Sequence, residues 1–165
     1  MPATSSPAPA PSLRRRMACW LYEGVLLFGV VMLAGLAFGL ATNTRNALQH
    51  RHGLQAFVFV VLALYFMYFW RRGQTLPMKT WRIRITDRRG RPLSWARAAL
   101  RYLLAWLWFV PPLAAMAPFA LRKGQIAVLL LGWVAIWALL SRFHPQRQFL
   151  HDALAGTRLV AVGSG

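Results

Sequence analysis

The sequence predicts an all-α membrane protein with four transmembrane helices. Three observations predict it. Hydrophobic residues make up 58% of the 165, yet Lys and Arg number 20 against three acids. Greasiness and charge also occupy different stretches, with four long apolar runs separated by short segments that carry almost all of the charge. A bilayer core needs about 20 apolar residues in a helix, and each run meets or approaches that length.

Residues 1–13 are dominated by Ala, Pro and Ser and carry no charged side chain, the composition of a disordered tail. Arg14, Arg15 and Arg16 follow, and the apolar run after them is too long for a signal-peptide core, so it is expected to stay in the protein as an anchor. The domain is expected over 14–160, with 161–165 as a short C-terminal tail. The first span covers about 18–41 and contains one charge, Glu23. The second covers 54–70 and is rich in aromatics. The third covers 102–121 and is interrupted by Pro111, Pro112 and Pro118. The fourth covers 125–140. Each run is apolar on every face, so lipid or other spans must surround it. Strands are excluded for these runs, because an open sheet cannot satisfy its backbone in lipid.

The basic residues orient the spans. Three precede the first span, two lie between the first and second, ten between the second and third, two between the third and fourth, and three follow the fourth. Alternate sides therefore carry sixteen and four. The excess marks the cytoplasmic side, so both termini are expected inside. Trp20, Tyr22, Trp70, Trp81, Trp95 and Tyr102 cluster toward span ends, as an interfacial belt does. Topology accounts for the charge, and the inner loop matches no nucleic-acid module, so no nucleic acid is expected as a partner. The single cysteine, Cys19, excludes an intramolecular disulfide framework.

The inner loop between the second and third spans is the only sizeable segment outside the membrane. Residues 79–86 alternate, with Trp81, Ile83 and Ile85 on one side and Arg82, Arg84 and Thr86 on the other. That period of two predicts a half-buried strand. Residues 87–92 read as a solvated turn that includes Asp87, and a hairpin whose second arm starts at Leu93 fits the pattern. Ser94 is a good N-cap for an amphipathic interfacial helix leading into the third span. The loop is expected to face lipid with its apolar side and headgroups with its arginines. Arg82, Arg84, Arg88, Arg89 and Arg91 are the expected contacts for anionic lipid.

An ionisable group inside a span must be paired, protonated or hydrated. Glu23 lies about five residues into the first span, and Arg16 lies seven residues before it on almost the same helix face. Asp152 sits among apolar residues of the tail. Arg16, Glu23 and Asp152 are therefore expected to form one cluster at the inner boundary. His151 beside Asp152 is a candidate proton shuttle, because its reference pKa lies near neutrality. His50 and His52 on the outer loop lack a nearby carboxylate, so no metal site is expected. His144 lies seven residues before His151 near the tail. No catalytic motif is visible, and neither an enzyme nor a cofactor is expected.

With these residues in view, the chain resembles the RDD family of small bacterial membrane proteins. The opening pattern, an arginine seven residues before an acid, is matched by Arg16 and Glu23. The central pattern is matched by Gly73, Gln74 and Thr75, followed by the basic strand and the turn at Gly90. An arginine leading into the next helix is matched by Arg101. The closing pattern is matched by His151-Asp152 and by Gly156-Thr157. Two departures stand out: Glu23 replaces an aspartate, and Pro77 replaces a glycine. The resemblance implies a multi-pass protein of the bacterial inner membrane, and loosely implies cation/proton exchange. Two readings remain open. One is a non-enzymatic membrane module with a buried Arg/acid cluster, which meets the bilayer, anionic headgroups and either a second copy or a partner membrane protein. The other is small-ion transport through Glu23 and Asp152, as an oligomer.

Overall fold

A computed structural model of the chain describes residues 10–43, 50–143 and 148–162. Arg45 and Arg147, counted above among the basic residues that orient the spans, lie outside these residues, as do His144 and most of the two tails. Seven α-helices and two strands are present among the described residues: α1 Leu13–Ala41, α2 Arg51–Arg71, α3 Leu76–Thr80, β1 Ile83–Asp87, α4 Trp95–Ala105, α5 Val110–Met116, α6 Lys123–Phe143, α7 Leu150–Leu154 and β2 Thr157–Ala161. Four helical stretches are long and apolar enough to cross a membrane: Leu13–Ala41, Arg51–Thr80, Trp95–Met116 and Lys123–Ser141.

Helix α1 begins earlier than its apolar run because Ser12 caps it, accepting the Arg15 N–H. At 29 residues it is about 43 Å long, more than a hydrocarbon core needs. Its apolar side chains stay uncovered by protein, with Val25 70% exposed. Such a surface suits lipid rather than water.

The third span is built in pieces. Ser94 caps α4, accepting the Arg97 N–H. A 3₁₀ turn at Trp106–Trp108 follows, and α5 starts with Pro111 and Pro112 in its first turn. Proline has no N–H to give, so it fits the first turn of a helix and breaks the interior of one. The amphipathic helix at Ser94 is thus the first half of the span itself. The span ends at Met116, short of the expected Leu121.

The loop strand exists, but its partner differs from the one expected. Strand β1 pairs antiparallel with β2, Ile83 opposite Ala161 and Asp87 opposite Thr157. Leu93 starts no second arm; it is buried in the core. The apolar side of β1 likewise faces protein and not lipid, since Ile83 and Ile85 are fully buried with Leu159, Trp70 and Phe149 in one cluster. Residues Lys79 and Thr80, expected in the strand, end helix α3. Pro77 sits in the first turn of α3, where its fixed φ suits the helix.

Both sheet edges are closed by glutamines. Gln74 Nε2 donates to the Ile83 carbonyl on the β1 side. Gln148 receives the Leu159 N–H on Oε1 and donates from Nε2 to the Leu159 carbonyl on the β2 side. The core gathers where the start of α1, the end of α2, the start of α4 and the end of α6 meet this sheet.

Candidate functional site: a buried charge cluster

A buried ion pair joins the tail to the third span. Arg101 Nε donates to Asp152 Oδ1 at 2.7 Å, and the Asp152 side chain is 0% exposed. Arg101 rests on the face of Trp70, 4.0 Å from its centroid, a cation–π contact that also desolvates it. Thr157 folds back so that its hydroxyl donates to Asp152 Oδ1 and to the Asp152 backbone carbonyl, each at 3.2 Å. Gly156 makes that return possible: with φ at +67° it takes the left-handed conformation that ends α7. The closing motif is therefore a device that presents Asp152 to Arg101. Burial pushes the Asp152 carboxyl up, but the Arg101 guanidinium, His151 and the hydrogen bonds outweigh it and hold the carboxyl below its ordinary value.

His151 does not fit the role of a proton shuttle. Its Nδ1 accepts a hydrogen bond from Trp108 Nε1 at 2.9 Å, so the neutral ring carries its proton on Nε2, 3.6 Å from Asp152 Oδ1. Burial lowers its pKa to about 4, against the pull of Asp152. It is a neutral spacer at pH 7.

Glu23 occupies a second station. Its Oε2 accepts from Thr75 Oγ1 at 2.6 Å and its Oε1 from the Tyr65 hydroxyl at 2.9 Å. Thr75 does two things at once, since the same oxygen accepts the Met78 N–H and caps α3. Gly73, at φ +87°, turns the chain out of α2, and its carbonyl accepts the Ile85 N–H. The Gly-Gln-Thr motif thus divides its work residue by residue: Gly73 makes the turn, Gln74 closes the sheet edge and Thr75 anchors the carboxylate.

Arg16 lies near the first station without joining it. Its Nη2 reaches Ser141 Oγ at 3.4 Å and its guanidinium lies over Phe149, 4.5 Å from the centroid. The expected single cluster of Arg16, Glu23 and Asp152 is corrected accordingly. Asp152 takes Arg101 as its ion-pair partner, Glu23 takes hydroxyls, and Arg16 stacks on an aromatic ring. Arg101 stands in Coulombic range of Glu23, and Asp152 in range of Arg16, so the stations share one electrostatic neighbourhood. Sequence reasoning missed Tyr65, Trp70, Trp108 and Ser141. Only Tyr65 carried a signal, as one of few polar side chains inside the second span.

The loop arginines divide. Arg82, Arg84 and Arg89 are exposed. Arg88 donates to the Ala153 carbonyl at 3.0 Å and so helps hold the tail. Arg91 and Arg97 pair with Asp87 at 3.3 and 3.0 Å. Asp87 is therefore no solvated turn residue. Covered by its own loop, it accepts the Arg91 and Arg89 N–H groups, which with the adjacent Arg91 guanidinium hold its pKa below the ordinary value.

Comparison with known proteins gives one positive finding. The model of the RDD family matches residues 10–156, a stretch that contains every member of both stations except Thr157. No curated protein and no solved structure matches the chain.

Proposed function

The chain belongs to the RDD family, and from that premise we propose a non-enzymatic inner-membrane module whose cytoplasmic face is locked by the buried charge cluster. Both termini lie in the cytoplasm in this reading. The basic excess on alternate segments supports it, as does the contact that brings Arg16 near the start of α1 beside Ser141 at the end of α6. The observation that carries the proposal is the Arg101–Asp152 pair, sealed from solvent at 2.7 Å. It fastens the tail to the third span and, through β2, fastens the inner loop to the tail. The locked loop presents Arg82, Arg84 and Arg89 outward, an array suited to anionic headgroups or an acidic partner.

A second reading, exchange of small cations for protons, has one observation of its own. Among the described residues Glu23 inside α1 is met by two hydroxyls and by no guanidinium, and intramembrane acids of this kind mark ion pathways. Flux in proteoliposomes containing a pH-sensitive dye separates the two. Na⁺ and K⁺ gradients are imposed in turn on wild type, Glu23→Gln and Asp152→Asn. The module reading expects no flux above empty liposomes. Cation-driven proton movement that disappears in folded Glu23→Gln would replace it with exchange.

A further inference from the structure

Two arginines meet at one end of the two-stranded sheet. Ile83, Ile85 and Leu159 fill its inner face, so Thr86 and Arg158, which stand opposite one another in the register, lie on the other. Arg158 reaches across to the end of β1, where its Nη1 donates to the Arg88 carbonyl at 3.5 Å. Arg88 reaches back the other way. It passes Gly156, with Nε 3.8 Å from where a Cβ would stand, and its Nη2 donates to the Ala153 carbonyl at 3.0 Å. The two side chains thus cross beside Thr86. Neither has a carboxylate partner among the described residues, and the neighbouring acid, Asp87, is already taken by Arg91 and Arg97. A backbone carbonyl occupies one donor of each guanidinium and neutralises neither. The Thr86 hydroxyl between them, 7% exposed, also has no partner. Two like charges held this close repel unless an anion joins them.

We propose that Arg88, Arg158 and Thr86 bind a phosphate monoester group. The chemistry selects the guest. Two guanidiniums and a hydroxyl all donate, so the guest must accept at several points and carry more than one negative charge. A phosphate monoester brings a charge near −2 at pH 7 and three strong acceptor oxygens. Its oxygens suit the planar fork of arginine. A carboxylate or a phosphate diester brings one charge and leaves one guanidinium unbalanced. The site also joins two separate parts of the chain, since Arg88 belongs to the inner loop and Arg158 to the tail. A bound phosphate therefore fastens the loop to the tail a second time, beside the ladder of β1 and β2. The same group can arrive on a soluble compound or on a lipid headgroup of the phosphatidic acid type. The inference depends on neither functional reading above, because it uses none of the residues of the buried charge cluster.

Two arms with the full-length protein test it and separate the sources. In zwitterionic nanodiscs, the thermal midpoint is followed as inorganic phosphate replaces chloride at constant ionic strength. In detergent, native mass spectrometry compares retention of phosphatidic acid, a monoester, with phosphatidylglycerol, a diester. The expected result is saturable binding in at least one arm, weakened about tenfold or more in Arg88→Met and Arg158→Met. Arg82→Met, which changes a charge before the other end of β1, should leave it intact. A gain from inorganic phosphate assigns a soluble ligand, and preferential retention of phosphatidic acid assigns a lipid. Binding in neither arm overturns the proposal. Binding undiminished in both arginine variants overturns it too, as does an equal loss in Arg82→Met, which would mark a general effect of charge. If the arginine variants fail to fold, Thr86→Val, which suits a strand and lacks the hydroxyl, takes their place; full binding by folded Thr86→Val then overturns the proposal.

Discussion

At the scale of single residues, Arg101 and Asp152 do different work from the rest of the charges. Removing one partner of a buried pair leaves the other uncompensated, at a cost of about 3–5 kcal/mol. Arg101→Met is therefore expected to lower the thermal midpoint of the detergent-solubilised protein severely. The double variant Arg101→Met with Asp152→Leu should recover most of the loss, because two apolar side chains can replace a buried pair; scanning fluorimetry of the three proteins reads this. His151 makes a pH prediction. Its folded pKa, about 4, lies below its ordinary 6.5, so the unfolded chain binds a proton first. The stability His151 contributes is complete above pH 6.5 and is lost as pH falls toward 4, amounting to about 3 kcal/mol. A thermal midpoint that falls over that window in wild type, and falls less in His151→Phe, is the expected pattern. Part of this was legible in the sequence. The motif residues Thr75, Arg101 and Asp152 stand out by family resemblance. Their pairings do not, because Arg16 and Arg101 offer the same chemistry to Asp152 and only the packing of α4 against α7 chooses between them.

At the scale of elements, the long helices were legible, the short helices α3 and α7 were not, and the sheet was half legible. Long apolar runs specify spans whatever their neighbours. The alternation of Ile83 and Ile85 likewise specifies a strand by itself. Its mate does not follow from local sequence, since Thr157–Ala161 lies far along the chain and a nearer arm at Leu93 looked equally suitable. The break in the third span was legible in its prolines, though the placement of the break before Pro111 needed the rule that proline opens a helix. The elements also differ in what a substitution costs. Ile85 is sealed inside the sheet's core, so Ile85→Ala is expected to cost about 2–5 kcal/mol. Val25 on α1 faces outward, and Val25→Ala should stay within about 0.5 kcal/mol. Equal losses from the two, measured by denaturant titration in one detergent, would contradict a core confined to one end of the bundle.

At the scale of the whole molecule, charge dominates. The chain has three acids, and each is already engaged: Glu23 by hydroxyls, Asp87 by Arg91 and Arg97, Asp152 by Arg101. A net charge of +17 must then be balanced from outside the protein. Each arginine near an anionic surface is worth about 1 kcal/mol. In nanodiscs, replacing zwitterionic with anionic lipid is expected to raise the thermal midpoint, and added salt should erode the gain. Combining Arg82→Glu, Arg84→Glu and Arg89→Glu should abolish it; a gain that survives all three would assign the lipid contacts elsewhere. The Arg101–Asp152 pair has a further consequence in time. During synthesis all four spans leave the ribosome before Asp152 does, so Arg101 waits in the nascent protein without its counterion. A chain cut before the tail is therefore expected to leave a buried guanidinium without its counterion and to lose the stability that the pair supplies. Asp152 thus sets the moment at which the third span's buried charge is neutralised.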